Sequence, residues 1–166
     1  LTEVRAQLDT VSGSILNIRV GGNDLSHAFG LRRPANRTIY DLRPVADILI
    51  DIVAAFGTQY VVSGPVWEYY SGEGWEEGLR REMELDLLNG FTGKTVIHPN
   101  QIPVVNEMLR VSQRDYADAR AILNWDTGSG SLVSASEDGG RMNEYNTHSR
   151  WARRIVLRAE RYGVRA

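Results

Sequence analysis

Gly90-Phe91-Thr92-Gly93-Lys94-Thr95-Val96-Ile97-His98-Pro99-Asn100-Gln101 is the run that orders the reading of all 166 residues. Gly90 follows an amphipathic segment, residues 76–88, and reads as its C-terminal stop. Thr95, Val96 and Ile97 are β-branched and lie between Gly93 and Pro99. That pattern predicts a short buried strand over 95–97. Asn100 and Pro103 suit the start of a helix, with asparagine as its cap and proline in the first turn. His98 therefore falls where strand gives way to helix. In α/β folds that junction is the carboxyl end of a strand, where ligands bind.

Working outward, the same alternation repeats. Apolar spacing predicts helices over 1–8, 42–56 and 76–88, with Val45, Ile48, Leu49, Ile52, Val53 and Phe56 forming one face of the second. Strands are expected at 15–20 and 59–62. Strand–helix repeats at this spacing imply an α/β fold on a parallel sheet. Further on, helices are expected at 103–109, 112–125 and 146–162, with a Gly/Ser/Asp-rich loop over 126–140.

The first strand runs into Gly21-Gly22-Asn23-Asp24-Leu25. Two glycines let a backbone approach a ligand with no side chain in the way. Asp24 then stands either as a ligand-facing carboxylate or as a turn residue capping a short helix over 25–29. The loop 30–41 carries Arg32, Arg33 and Arg37, suited to an anionic substrate or to a solvated surface. The segment 66–74, with Trp67, Tyr69 and Tyr70, serves either a pocket or packing.

The run from Gly90 to Gln101 resembles the G-F-x-G-K-x-x-I-H-P-x-Q signature of the citrate lyase β-subunit family, which includes malyl-CoA and citramalyl-CoA lyases. The weaker likeness spans about residues 15–159. It implies a TIM barrel and a carbon–carbon bond lyase using Mg²⁺ on a carboxylate-bearing hydroxyacyl substrate. Whether that substrate is a CoA thioester stays open. A (β/α)8 barrel takes ~200–250 residues, so the expectation is its C-terminal βα units over 1–110. A helical C-terminal extension over 111–166 would follow, packing on a neighbouring protomer of a trimer or larger homo-oligomer.

By the same resemblance, Asp24 matches a Mg²⁺ carboxylate, and Gly22, Ile97 and His98 match substrate-contacting positions. Glu144, in Gly139-Gly140-Arg141-Met142-Asn143-Glu144, matches the last acid of a D-G-x-M-x-D motif, the family's catalytic acid/base. Here glutamate replaces that aspartate, and Gly139 replaces the first. The family's second metal carboxylate would precede Leu1, so the chain alone is expected to bind Mg²⁺ weakly. Two alternatives share these residues: a thioester hydrolase on the same scaffold, and a non-catalytic barrel serving as a subunit.

Composition narrows the partners. A net charge of −2 offers no nucleic-acid footprint. No apolar run is long enough for a membrane helix. The chain contains no cysteine, which rules out disulfide and thiolate chemistry and fits a cytoplasmic location.

Overall fold

A computed structural model describes residues 1–125, 133–136 and 139–165. The chain divides into two compact units, Leu1–Met108 and Leu109–Ala166.

The first unit is built on a three-stranded parallel sheet of β1 (Ile18–Arg19), β2 (Val62–Gly64) and β3 (Gly93–Lys94), in that spatial order. Register is set by Ile18 opposite Val62, Ser63 opposite Gly93 and Gly64 opposite Lys94. Parallel neighbours need crossover connections. α2 (Gly22–Ala28) and α3 (Arg43–Phe56) join β1 to β2, and α4 (Trp75–Leu88) joins β2 to β3. α1 (Thr2–Asp9) precedes the sheet and α5 (Gln101–Met108) follows it. The core gathers Val20, Ile39, Val45, Leu49, Phe56, Tyr60, Val62 and Phe91. Val45, Leu49 and Phe56 come from the apolar face of α3, whose first turn holds Pro44, a position that needs no N–H.

The βα order matches the expectation, but the strands end elsewhere. The strand expected at 95–97 lies at Gly93–Lys94, and Ile97 is 56% exposed. The last rung is the Thr95 N–H donating to the Gly64 carbonyl at 3.1 Å. Beyond it, Gln101 Oε1 accepts the Ile97 N–H and the chain winds into α5, so β-branched residues leave the sheet. β2, expected at 59–62, runs instead through Val62, Ser63 and Gly64. α2 begins at Gly22, placing Asp24 inside its first turn. Asn100 does not cap α5; its side-chain amide donates to the Tyr70 carbonyl instead.

Ahead of α3, Thr38 and Asp41 form a capping box around a 3₁₀ turn, Ile39–Asp41. Asp41 Oδ2 accepts the Thr38 N–H at 2.7 Å and its hydroxyl at 3.0 Å. The Thr38 N–H holds the Asp41 carboxyl below the usual carboxylate range. A depressed acid contributes stability above its unfolded pKa and loses it as pH falls through the folded value. Asp41→Asn is therefore expected to lower the melting temperature at pH 7. The difference should begin to shrink near about pH 4, where the unfolded carboxyl takes up its proton, and go on falling toward the lower folded value. Thermal unfolding followed by circular dichroism from pH 3 to 7 checks this, and parallel curves at all pH values would refute it.

The second unit pairs α6 (Gln113–Leu123) with α7 (Tyr145–Tyr162). Ala119 and Ile122 pack with Ala152, Ile155 and Ala159 around Val111. β4 (Val111–Ser112) lies parallel to β7 (Val164–Arg165). Ser112 caps α6 by accepting the Asp115 N–H. β5 (Val133–Ala135) and β6 (Met142–Glu144) form an antiparallel hairpin, so part of the expected loop is strand. Residues 126–132 and 137–138 of that loop lie outside the described residues. Arg141 joins Asp115 to the buried Asp118, at 3.0 and 2.5 Å. Among the described residues, no helix is long and apolar enough to cross a membrane.

Candidate active site

The carboxyl ends of β1, β2 and β3 bring three connections side by side. From β1 come Gly21, Gly22 and Asp24; from β2, Pro65, Val66 and Trp67; from β3, Ile97 and His98. Gly22, Asp24, Ile97 and His98 thus lie at the strand ends of one sheet. Glu144 belongs to the second unit.

The two glycines do different work. Gly22 is buried, and a Cβ there would lie 2.5 Å from Pro65 Cβ and 2.6 Å from Ile39 Cδ1. Its bare Cα serves packing. A Cβ on Gly21 would overlap Asp24 Oδ2, so the exposed Asp24 side chain would have to move aside. Asp24 is exposed, and no described cation is placed against it. Beside it, Asn23, Ser26, His27, Leu31, Arg32 and Glu68 line an open hollow of about 440 Å³.

Across the sheet, the signature's polar residues act as clamps. Gln101 is fully buried; its amide donates to the carbonyls of Trp67 and Tyr69, both at 2.8 Å, while its Oε1 accepts the Ile97 N–H. One side chain thus fastens the β2 connection to the β3 connection. His98 Nδ1 accepts the Asn100 N–H at 3.2 Å, and its ring stacks on Tyr70 with centroids 4.1 Å apart.

Beneath these ends lies a cluster that residue-by-residue reading missed. The Lys94 side chain is fully buried and donates to Glu82 Oε1 at 2.8 Å and Asp86 Oδ2 at 2.7 Å. Arg33, also buried, places Nε 2.8 Å from Glu82 Oε2 and donates to the Val66 carbonyl. Glu82 Oε2 also accepts the Ile39 N–H, and the Tyr40 hydroxyl donates to Asp86 Oδ1 at 2.7 Å. Two cations and two carboxylates balance. Burial pushes the Asp86 carboxyl above its usual range, and burial beside Asp86 raises the Tyr40 phenol too. Gly64 has no room for a side chain, because a Cβ would lie 2.6 Å from Asp86 Oδ2. One signal was available: Glu82 and Asp86 share the inward face of α4 with Leu79 and Met83, at helical spacing.

This cluster corrects the reading of the basic loop. Arg33 is a buried structural cation, while Arg32 pairs with Glu68 and Arg37 lies 3.9 Å from Asp41. The aromatic segment also divides. Trp67 is fully buried under the Arg33 guanidinium, and Tyr70 faces the surface.

Glu144 ends β6 and occupies the N-cap position of α7. Its Oε2 accepts the Thr147 hydroxyl at 3.2 Å, and its N–H donates to His148 Nδ1 at 3.0 Å. Its carboxylate is therefore held by one hydroxyl and by no described cation.

Among the described residues, no three His, Asp or Glu side chains gather as a metal cluster. Asp24 fits a hard cation as one oxygen ligand, since it is ionisable, exposed and unneutralised; further ligands would have to come from substrate, water or elsewhere.

A family model described as C–C bond lyase of the TIM-barrel fold matches residues 1–164. The L-malyl-CoA/beta-methylmalyl-CoA lyase of one Cereibacter sphaeroides strain is 38% identical over 74 residues, which cover 43% of this chain and 22% of that enzyme. The same enzyme from a second strain is 36% identical over 74 residues. The crystal structure of CitE from Mycobacterium tuberculosis, in complex with magnesium, acetoacetate and coenzyme A, superposes with a TM-score of 0.61 at 28% identity. That likeness covers 87% of this chain and 52% of CitE, so the chain spans about half the length of that relative.

Proposed function

Because the chain belongs to the C–C bond lyase family of the TIM-barrel fold, we propose that it forms part of a Mg²⁺-dependent lyase. Its substrate would be a carboxylate-bearing 3-hydroxyacyl-CoA thioester, cleaved or formed through an enolate. The observation that carries this reading is the unneutralised Asp24 carboxylate at a strand end of the sheet that also presents His98. Two relatives named for malyl-CoA cleavage and a neighbour holding magnesium, acetoacetate and coenzyme A support the substrate class.

Cleavage breaks the bond between the α- and β-carbons of the thioester. A base takes the β-hydroxyl proton, the β-carbon becomes a carbonyl, and the bonding pair passes to the α-carbon as the enolate of the departing acyl thioester. Reprotonation of that enolate completes the balance. When bound, Mg²⁺ supplies Lewis-acid stabilisation of the charge that develops on oxygen. Asp24 would hold it. Glu144 would be the base, because a carboxylate without an adjacent cation stays available to accept a proton. We assign His98 and Ile97 to the substrate wall. Ile97 offers its side chain there, since its N–H is engaged by Gln101. Gly22 shapes the floor through close packing with Pro65. Assembly as a trimer or larger, with Glu144 serving a neighbouring copy's site, belongs to the same reading, as does a cytoplasmic location.

The test uses the full-length polypeptide, titrated with Mg²⁺ by calorimetry and incubated with malyl-CoA. The expected products are glyoxylate and acetyl-CoA. Asp24→Asn should abolish the magnesium response and lower kcat/KM by at least ~100-fold, beyond the 10–100-fold typical of outer-shell changes. Free CoA as the first product would instead establish a hydrolase. Absence of both metal binding and turnover would establish a non-catalytic subunit.

A further inference from the structure

Resting on the assignment of this strand end to substrate, we propose that Tyr70 is the positioning residue for His98. It holds the plane of the imidazole, whose Nε2–H, left free by the Asn100 contact at Nδ1, donates to a substrate oxygen.

The stack is close and nearly parallel, with centroids 4.1 Å apart and the planes inclined by 13°. Both residues lie toward the surface, Tyr70 being 43% exposed, so core packing does not explain the pairing. The tautomer follows from the other ring nitrogen. His98 Nδ1 accepts the Asn100 N–H, so it carries no proton, and the neutral ring has its proton on Nε2. Among the described residues, nothing accepts from Nε2.

The platform is itself anchored from both sides. Gln101 donates to the Tyr69 carbonyl, and the Asn100 side chain donates to the Tyr70 carbonyl. Asn100 therefore fixes the plate through its amide and the imidazole tautomer through its backbone. The Tyr70 hydroxyl has no partner among the described residues, so the ring face acts and the hydroxyl does not. A ring locked in plane, with one donor facing outward, loses little freedom when it meets a substrate oxygen. That suits a substrate carboxylate, bound alike before and during bond cleavage.

The experiment combines imidazole NMR with kinetics on the full chain. Histidine occurs at positions 27, 98 and 148, so a His98→Gln variant assigns the signal. Long-range ¹H–¹⁵N spectra of the wild type should show His98 protonated at Nε2, with ring protons shifted upfield by Tyr70. Tyr70→Phe should retain both features, and Tyr70→Ala should lose the upfield shift. With malyl-CoA, Tyr70→Ala should raise KM about tenfold, the worth of one hydrogen bond, with kcat changing far less. Tyr70→Phe should match the wild type, and Tyr70→Ala combined with His98→Gln should be no worse than His98→Gln.

Unchanged His98 signals in Tyr70→Ala would overturn the inference. So would an equal rise in KM in Tyr70→Phe. If the spectra respond as expected while the wild type cleaves no malyl-CoA, the hold of Tyr70 on His98 is upheld and the assigned reaction is what fails.

Discussion

Lys94→Met is expected to destabilise the first unit by about 3–5 kcal/mol, the cost of removing one partner from a buried ion pair. Lys94 is the cation shared by Glu82 and Asp86, and none of the three side chains is more than 2% exposed. Without it, Glu82 keeps Arg33 and the Ile39 N–H. Asp86 keeps the Tyr40 hydroxyl alone and has to fold protonated. Its carboxyl is already raised by burial, and loss of Lys94 raises it further. A raised acid contributes stability that is full below its unfolded pKa and is lost as pH rises through the folded value. The variant's deficit should therefore be larger at pH 7 than near pH 4–5, where a free aspartate begins to protonate. Adding Asp86→Asn should recover part of the loss, because the orphaned charge is gone. Urea unfolding of the single and double variants at both pH values measures this. A deficit below about 1 kcal/mol, the scale of a solvated pair, would show that the cluster is not an electrostatic centre of this unit.

Trp67→Ala should cost a similar ~3–5 kcal/mol, through a different term. The indole is fully buried, and its Nε1–H donates to the Trp75 carbonyl at 2.9 Å. One side faces the Arg33 guanidinium, 5.1 Å from the ring. Another abuts Gly78, where a Cβ would overlap the indole. The surroundings cannot collapse into the space, because the α4 backbone and a tethered arginine form its walls. Trp67→Phe should recover much of the loss by refilling the space, although it leaves the Trp75 carbonyl without its donor. Near-equal losses for alanine and phenylalanine would instead place the effect in that one hydrogen bond. Either way, the β2 connection carries both Trp67 and Tyr70, so its packing bears on the candidate site as well as on stability.

Much of this architecture was legible along the chain. The apolar faces of α3 and α4 and the recurrence of strand and helix follow from side-chain period and local sterics, which act over a few residues. The run from Gly90 to Gln101 carried the family likeness, and the family match bears it out. The strand limits were not legible. β3 stops at Lys94 because Gly64 offers the last rung and Gln101 then captures the Ile97 N–H, two partners about 30 and 4 residues away.

Least legible was the role of the charged residues. Arg33 suited an anionic substrate or a solvated surface, and charged side chains such as Glu82, Asp86 and Lys94 are seldom fully buried. They are buried here because folding brings a loop, a helix and a strand end together with signs that cancel. Charge balance of that kind is a property of three-dimensional neighbourhood, and no local pattern specifies it. The same holds at the site. Sequence named Asp24 and His98, but only the fold shows why Gly22 must lack a side chain, why Gln101 is a clamp, and which nitrogen of His98 is free to donate.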